Sequence, residues 1–92
     1  MSPCIYVIRT FVRHGGSIGA LPPTICFERD LALEMAQADE AECEGVAVYA
    51  LDRAAVRESE AKPFAAFGLV PDSYRRISRE ALLAAAPLAE AS

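Results

Sequence analysis

The stretch from Glu28 to Arg53 limits the possible folds more than any other part of the chain. An acidic, Ala-rich run from Glu28 to Glu44 is broken by Gly45 and followed by the apolar run Val46-Ala47-Val48-Tyr49-Ala50-Leu51. The first run has the spacing of a helix and the second the length of a strand, with a glycine stop between them. Leu31, Ala32, Met35, Ala36 and Cys43 form a narrow apolar stripe, and Leu33 falls outside it, at an edge. Glu28 and Asp30 suit the positive end of the helix dipole. Asp39, Glu40, Glu42 and Glu44 crowd the negative end with no basic residue among them. Those charges are either solvated or met by a basic segment from elsewhere.

Before this unit, Cys4 to Arg13 reads as a strand with large apolar groups on both sides: Cys4, Tyr6, Ile8, Thr10 and Val12 on one, Ile5, Val7, Arg9, Phe11 and Arg13 on the other. Such a strand belongs inside a sheet, covered on both faces. Gly15-Gly16 supplies the positive φ values of a tight turn. The return from Ser17 to Leu21 is an edge segment at best, because Pro22-Pro23 cannot join an interior ladder. Thr24 to Phe27 leads into the helix, with Phe27 expected to pack under its first turn.

After Leu51 the pattern predicts an exposed connection through Lys62, with at most a helical turn. A third strand or extended segment is expected over Phe64 to Val70. Ser78 is placed to cap a short helix, with Ile77 and Leu82 as the flanking hydrophobic pair; that helix runs to about Ala86 and stops at Pro87. The expected fold is a single α+β domain over residues 1–92, with a small, mainly antiparallel sheet, one long acidic helix and a short C-terminal helix. Strands are placed near 4–13, 46–53 and 64–70 and helices near 28–44 and 78–86.

Ninety-two residues make one domain with a small core, and the 53 % hydrophobic content overstates it because Ala supplies a large share. A core this thin makes self-association a way to bury more surface. The net charge of −4 is unevenly spread: the first 27 residues carry two arginines and no acid, and residues 28–44 carry seven acids against one arginine. Nucleic acid is not an expected partner, since the phosphate backbone demands a basic face and the one dense cluster is Arg75, Arg76 and Arg79. The N-terminus has no basic segment leading into an apolar stretch, and no run approaches the ~20 apolar residues of a membrane span. Three widely spaced cysteines, Cys4, Cys26 and Cys43, argue for reduced thiols rather than a disulfide framework. The expected location is therefore cytoplasmic, with no membrane partner.

Few chemistries find a complete set of groups. Cys4, Cys26, Cys43 and His14 lack the short paired spacing of a structural zinc site, and the cysteines read as small apolar residues. Gly15-Gly16-Ser17-Ile18-Gly19 follows neither a Walker loop nor a dinucleotide fingerprint. No cofactor is expected. Arg13-His14-Gly15 after a strand resembles the Arg-His-Gly motif of histidine phosphatases, in which the His is phosphorylated. The resemblance covers three residues, and those enzymes need a second His that this chain lacks. An exposed turn histidine accounts for His14. Lys62-Pro63-Phe64-Ala65-Ala66-Phe67-Gly68-Leu69 resembles the Asp-Pro-Phe-x-x-x-Gly-Leu segment of the YCII-like proteins, which are dimeric α+β barrels. Lys62 stands where that family has an acid, and the helix over 28–44 has no counterpart of the family's functional His. The resemblance implies an analogy of fold, not of activity.

What remains is a surface. Arg9, Phe11 and Arg13 share one strand face, and Tyr49, Leu51 and Arg53 share one on the later strand. If the strands are neighbours, Arg9, Phe11, Arg13, His14, Tyr49 and Arg53 could form a cationic, aromatic patch for a small anionic ligand or a partner's acidic helix. The competing expectation is a face covered by the C-terminal helix, with the arginines reaching out to solvent. A non-catalytic binding or assembly module is expected, joined to a second copy through a sheet face or edge, with Phe11 in the contact. The alternative is a small enzyme or ligand-binding protein that uses Arg13, His14 and Tyr49 on an anionic small molecule.

Overall fold

The computed structural model describes residues 4–52 and 60–83. Its centre is the pairing of the two apolar runs noted above: β1 (Cys4–His14) and β4 (Gly45–Asp52) lie antiparallel, with Arg9 opposite Ala47, Val7 opposite Tyr49 and Phe11 opposite Gly45. On the other side of β1 the chain adds β2 (Ser17–Ala20) and β3 (Thr24–Cys26), paired to the two halves of β1. Pro22-Pro23 separates them, because proline has no N–H to give to a ladder. β6 (Pro63–Gly68) pairs with β4 and is the last strand of the sheet among the described residues. The order is therefore β2 and β3, then β1, β4 and β6. Two short strands, β5 (Glu60–Ala61) and β7 (Ile77–Ser78), form a separate antiparallel pair.

The fold is α+β, as expected, and the three long strands lie close to their expected bounds. The long helix α1 spans Arg29–Glu40 and stops short of Glu44. It buries Ala32 and Ala36 completely against Ile8, Val46 and Val48, with Cys26 beside them. Small helix residues opposite β-branched strand residues bring the helix close to the sheet. The expected stripe was wider: Leu31 is 45 % exposed and Cys43 lies beyond the helix. Phe27 also differs from expectation. It is 69 % exposed, because Cys26 is the β3 residue that turns inward next to α1.

The opposite sheet face is covered by the C-terminal part of the chain. Val7, Phe11, Ala47, Tyr49 and Leu51 pack against Ala61, Val70, Ile77 and Leu82. A 3-10 turn at Asp72–Tyr74 places Tyr74 over this face, and the short helix α2 (Arg79–Leu83) follows. The Ser78 cap is formed: its Oγ accepts the Ala81 N–H at 3.0 Å. Ile77 and Leu82 are both buried, as the hydrophobic pair flanking that cap requires. The connection read as exposed between Leu51 and Lys62 contributes β5 at its end, and Arg53 to Ser59 lie outside the described residues.

β4 and β6 meet most tightly at two glycines. Gly45 stands opposite Gly68, and the Leu69 N–H donates to the Glu44 carbonyl at 2.9 Å. A methyl group on Gly45 would collide with the Leu69 carbonyl. One on Gly68, whose φ is +71°, would lie 2.5 Å from the Glu44 oxygen. Replacing Gly45 by Ala is therefore expected to cost about 1–3 kcal/mol in thermal or denaturant unfolding. Gly15→Asn, in the open hairpin turn where nothing lies within 4 Å, should stay within about 0.5 kcal/mol of the parent. Equal losses at the two sites would contradict the close approach at Gly45.

Candidate functional site

The strands carrying the expected patch are neighbours, but the patch is not open. Arg9, Phe11 and Tyr49 lie at the centre of the face under Tyr74 and Leu82, and each is at most 1 % exposed. Arg9 does not reach out to solvent. Its guanidinium donates from Nη1 to the Leu82 carbonyl at 3.0 Å and from Nη2 to the Tyr74 hydroxyl at 3.5 Å, and it sits 5.6 Å from the centre of the Tyr74 ring. The Phe11 ring meets the same Tyr74 ring edge to face, with centroids 4.8 Å apart. The Tyr49 hydroxyl donates to the Tyr74 carbonyl at 2.5 Å. The expectation that Phe11 forms a subunit contact is corrected by this packing: Tyr74 of its own chain occupies the surface in question.

Arg13 and His14 lie further along β1, past the cover, and both are exposed. Arg13 pairs with Glu44 at 3.5 Å, a contact between two half-exposed side chains worth less than about 1 kcal/mol. This is the basic group from elsewhere that meets the acidic run. His14 closes the hairpin at the β2 edge. Seven strand residues, roughly 23 Å, separate it from Val7, the partner of Tyr49. Arg13, His14 and Tyr49 thus cannot act on one small substrate. Arg53 lies outside the described residues.

Cover of this face by the C-terminal helix, here through Leu82, was the competing expectation, whereas Tyr74 was missed as its organiser. The only signal of Tyr74 was an aromatic residue in a polar turn shortly before the Ser78 cap.

Besides a groove of about 390 Å³ beside Arg13 and Glu44, two others lie on the surface of the described residues. One, of about 400 Å³, runs between β1 and the end of α1 and is lined by Thr10, Thr24, Asp39, Glu42 and Cys43 among others. The Cys43 thiol is engaged there with the carbonyls of Asp39 at 2.9 Å and Gly45 at 3.2 Å, and burial raises its pKa, so it stays protonated and weakly nucleophilic. The other, of about 330 Å³, includes Asp52, Glu60, Lys62 and Arg79 and mixes both charges. Arg79 there donates to the Asp52 carbonyl at 3.2 Å. Among the described residues no three His, Cys, Asp or Glu side chains converge as a metal set would, and no helix is long and apolar enough to cross a membrane.

The feature with unspent interaction capacity is the outer edge of β6. Pro63-Phe64-Ala65-Ala66-Phe67-Gly68 carries no charge and, among the described residues, pairs only with β4. In an antiparallel ladder, hydrogen-bonded and non-bonded residue pairs alternate. Since the Leu69 N–H bonds inward to Glu44, Phe67 and Ala65 also turn their backbone groups inward, and Gly68 and Ala66 turn theirs outward. A bulge between Val48 and Tyr49 leaves Phe64 as the extra residue on β6. It swings the Phe64 ring to the helix side, edge to face with Tyr6 at 6.1 Å and 5.3 Å below the Arg29 guanidinium. Phe64 stays 39 % exposed, and Leu69 at the other end is 48 % exposed.

No protein-family model, curated protein or solved structure matches the chain. The short segments that resemble histidine phosphatases and YCII-like proteins do not extend to a family match.

Two outcomes follow from the Tyr74 cluster. Phe11→Ala should lose about 3–5 kcal/mol as a core truncation, and Phe11→Asp should unfold the chain rather than give soluble monomers, as circular dichroism would show. Tyr49 is neutral in the folded chain because burial, then the neighbouring Tyr74, raises its pKa far above the ordinary value of 10.0, with Arg9 acting the other way. Its contribution is complete below pH 10. Above that the unfolded chain ionises first, so stability falls by up to about 1.4 kcal/mol per pH unit. Tyr49→Phe should cost about 1–2 kcal/mol at pH 7 and flatten that alkaline decline in melting temperature. An unchanged decline would place its origin elsewhere.

Proposed function

We propose that the protein is a non-catalytic assembly module that associates with its own kind through the open edge of β6. The observation that carries this reading is an uncharged edge strand with two outward-facing backbone positions, Ala66 and Gly68, flanked by exposed Phe64 and Leu69. Natural sheets usually blunt such edges with lysine or with a covering loop. Here Pro63 and the bulge at Phe64 shield one end, and Ala65 to Gly68 carry no charged side chain. Strand addition supplies main-chain hydrogen bonds without any dedicated pocket. This suits a chain whose large polar side chains, Arg9 and Tyr49, are committed to its own core. The small enzyme acting on an anionic molecule has less support, because Arg9 and Tyr49 are enclosed and His14 stands apart from both.

Ala66→Pro tests the reading. The Ala66 N–H faces away from β4, so proline removes an outward donor and leaves the internal ladder intact. Sedimentation equilibrium is expected to show concentration-dependent self-association for the parent and a monomer for Ala66→Pro, with matching circular dichroism. A parent that stays monomeric at high micromolar concentration, or a dimer indifferent to Ala66→Pro, would refute the assignment.

A further inference from the structure

The β6 edge also bears on how two copies meet, an inference that rests on the self-association proposed above. The Leu69 N–H bonds inward, so the Gly68 carbonyl, which points the opposite way in the same peptide plane, faces outward. Ala66, two residues earlier, turns its backbone the same way. Both residues are small and exposed, and Ala66 lies on the sheet face away from α1, as its β4 partner Ala47 does. Between them Phe67 projects on the helix side, beside Val46. When such an edge meets its own copy antiparallel across a two-fold axis normal to the sheet, a centre on Phe67 sets outward positions against outward positions. Ala66 of each copy then stands opposite Gly68 of the other, and each of these pairs exchanges both N–H···O bonds. A centre on Ala66 would set Gly68 against Phe64, the extra residue of the bulge. A centre on Gly68 would set Ala66 against Val70, beyond the strand.

The course of α1 supplies an independent reason for the occupant to be a second copy. The helix starts near β6, where Arg29 lies 5.3 Å from the centre of the Phe64 ring, and ends beside β1 and β3, where Asp39 shares a groove with Thr10 and Thr24. It therefore crosses the sheet obliquely, and the flank it leaves least covered is the Phe67 end of β6. Phe67 is half-buried: it packs toward Val46 on one side and borders the open edge on the other. The two-fold axis brings the Phe67 ring of the second copy to that open flank, in a non-hydrogen-bonded pair whose Cα atoms lie about 4.5 Å apart. It also brings the exposed Leu69 of each copy level with the small Ala65 of the other. The start of the second α1 stays with the second Phe64, diagonally across the axis, so the helices do not collide. We infer that the protein forms a closed, two-fold dimer by antiparallel β6–β6 pairing centred on Phe67, with the two Phe67 rings in contact across the axis. Closure on a two-fold axis uses up both edges, so assembly stops at two.

The test asks whether position 67 faces itself. With Cys4, Cys26 and Cys43 changed to Ser to exclude the native thiols, Phe67→Cys should cross-link to a covalent dimer under mild oxidation, since its Cα separation falls in the range a disulfide spans. Ala66→Cys in the same background should not, because the two copies of that residue lie diagonally, with Cα atoms about 8–9 Å apart. Charge complementation gives a second readout by sedimentation equilibrium. Phe67→Glu and Phe67→Lys, each alone, should weaken the dimer at least about tenfold by setting like charges against each other, and an equimolar mixture of the two should associate about tenfold more tightly than either. Circular dichroism checks that each variant folds; where the charged variants do not, the cross-link decides. A dimer abolished by Ala66→Pro that cross-links at position 66 rather than 67, or whose folded charge variants gain nothing on mixing, would overturn the register while leaving edge association standing. A chain that never dimerises would remove both.

Discussion

The fold depends on how it accommodates one cation, Arg9, in the middle of its central strand. A buried guanidinium must have its donors met and its charge stabilised, or the strand cannot be interior at all. Neighbours on β1 and β4 are apolar at that point. Two of its acceptors come from 65 and 73 residues away, the Tyr74 hydroxyl and the Leu82 carbonyl. The C-terminal segment therefore does more than exclude water. It brings an aromatic face and a helix carbonyl to the one group that would otherwise oppose burial, and Tyr49 fastens the same turn through the Tyr74 carbonyl. Phe11 then finds its packing partner already in place.

That arrangement explains which parts of the fold were legible in the sequence. The α1 and β4 elements and the paired faces of β1 were readable because their periodicity and the Gly45 break are local signals. The Ser78 cap was readable for the same reason. The fate of the Arg9 face was not, because an arginine alternating with apolar residues fits an open groove and a covered core equally well until its acceptors are known. Those acceptors are a backbone carbonyl and a tyrosine in a turn, and neither has a signature at a distance in sequence. The candidate site fared worse still. Five of its six residues fall within the described structure, and they divide between a sealed core and a solvated hairpin end because one strand passes through both environments.

Phe27 and Phe64 show a second limit of local patterns. Simple alternation would put the Phe64 side chain away from α1, and its proximity to the helix would have been expected only of Phe27. The bulge opposite Val48 and Tyr49 inverts this for Phe64, and the inward turn of Cys26 inverts it for Phe27. Register irregularities of one residue exchange the two faces of a strand, and composition carries no trace of them. Here the exchange brings an aromatic ring and Arg29 together at the end of the sheet where the edge strand begins.

The distribution of small residues links core and edge. Ala32 and Ala36 on the helix side and Ala47 on the opposite face are all fully buried; the first two let α1 approach the sheet closely, and all three leave a core with little apolar area for its length. Larger side chains that could have deepened that core, Phe64 and Leu69, instead lie partly exposed along β6, next to a strand interior of two alanines. An alanine edge is poor at covering its own backbone, because a methyl group screens little of the N–H and C=O row beside it. The same smallness lets another strand approach to hydrogen-bonding distance without steric cost. The apolar area missing from the interior and the accessibility of the edge thus have one origin in alanine content, and strand pairing at β6 would relieve both together.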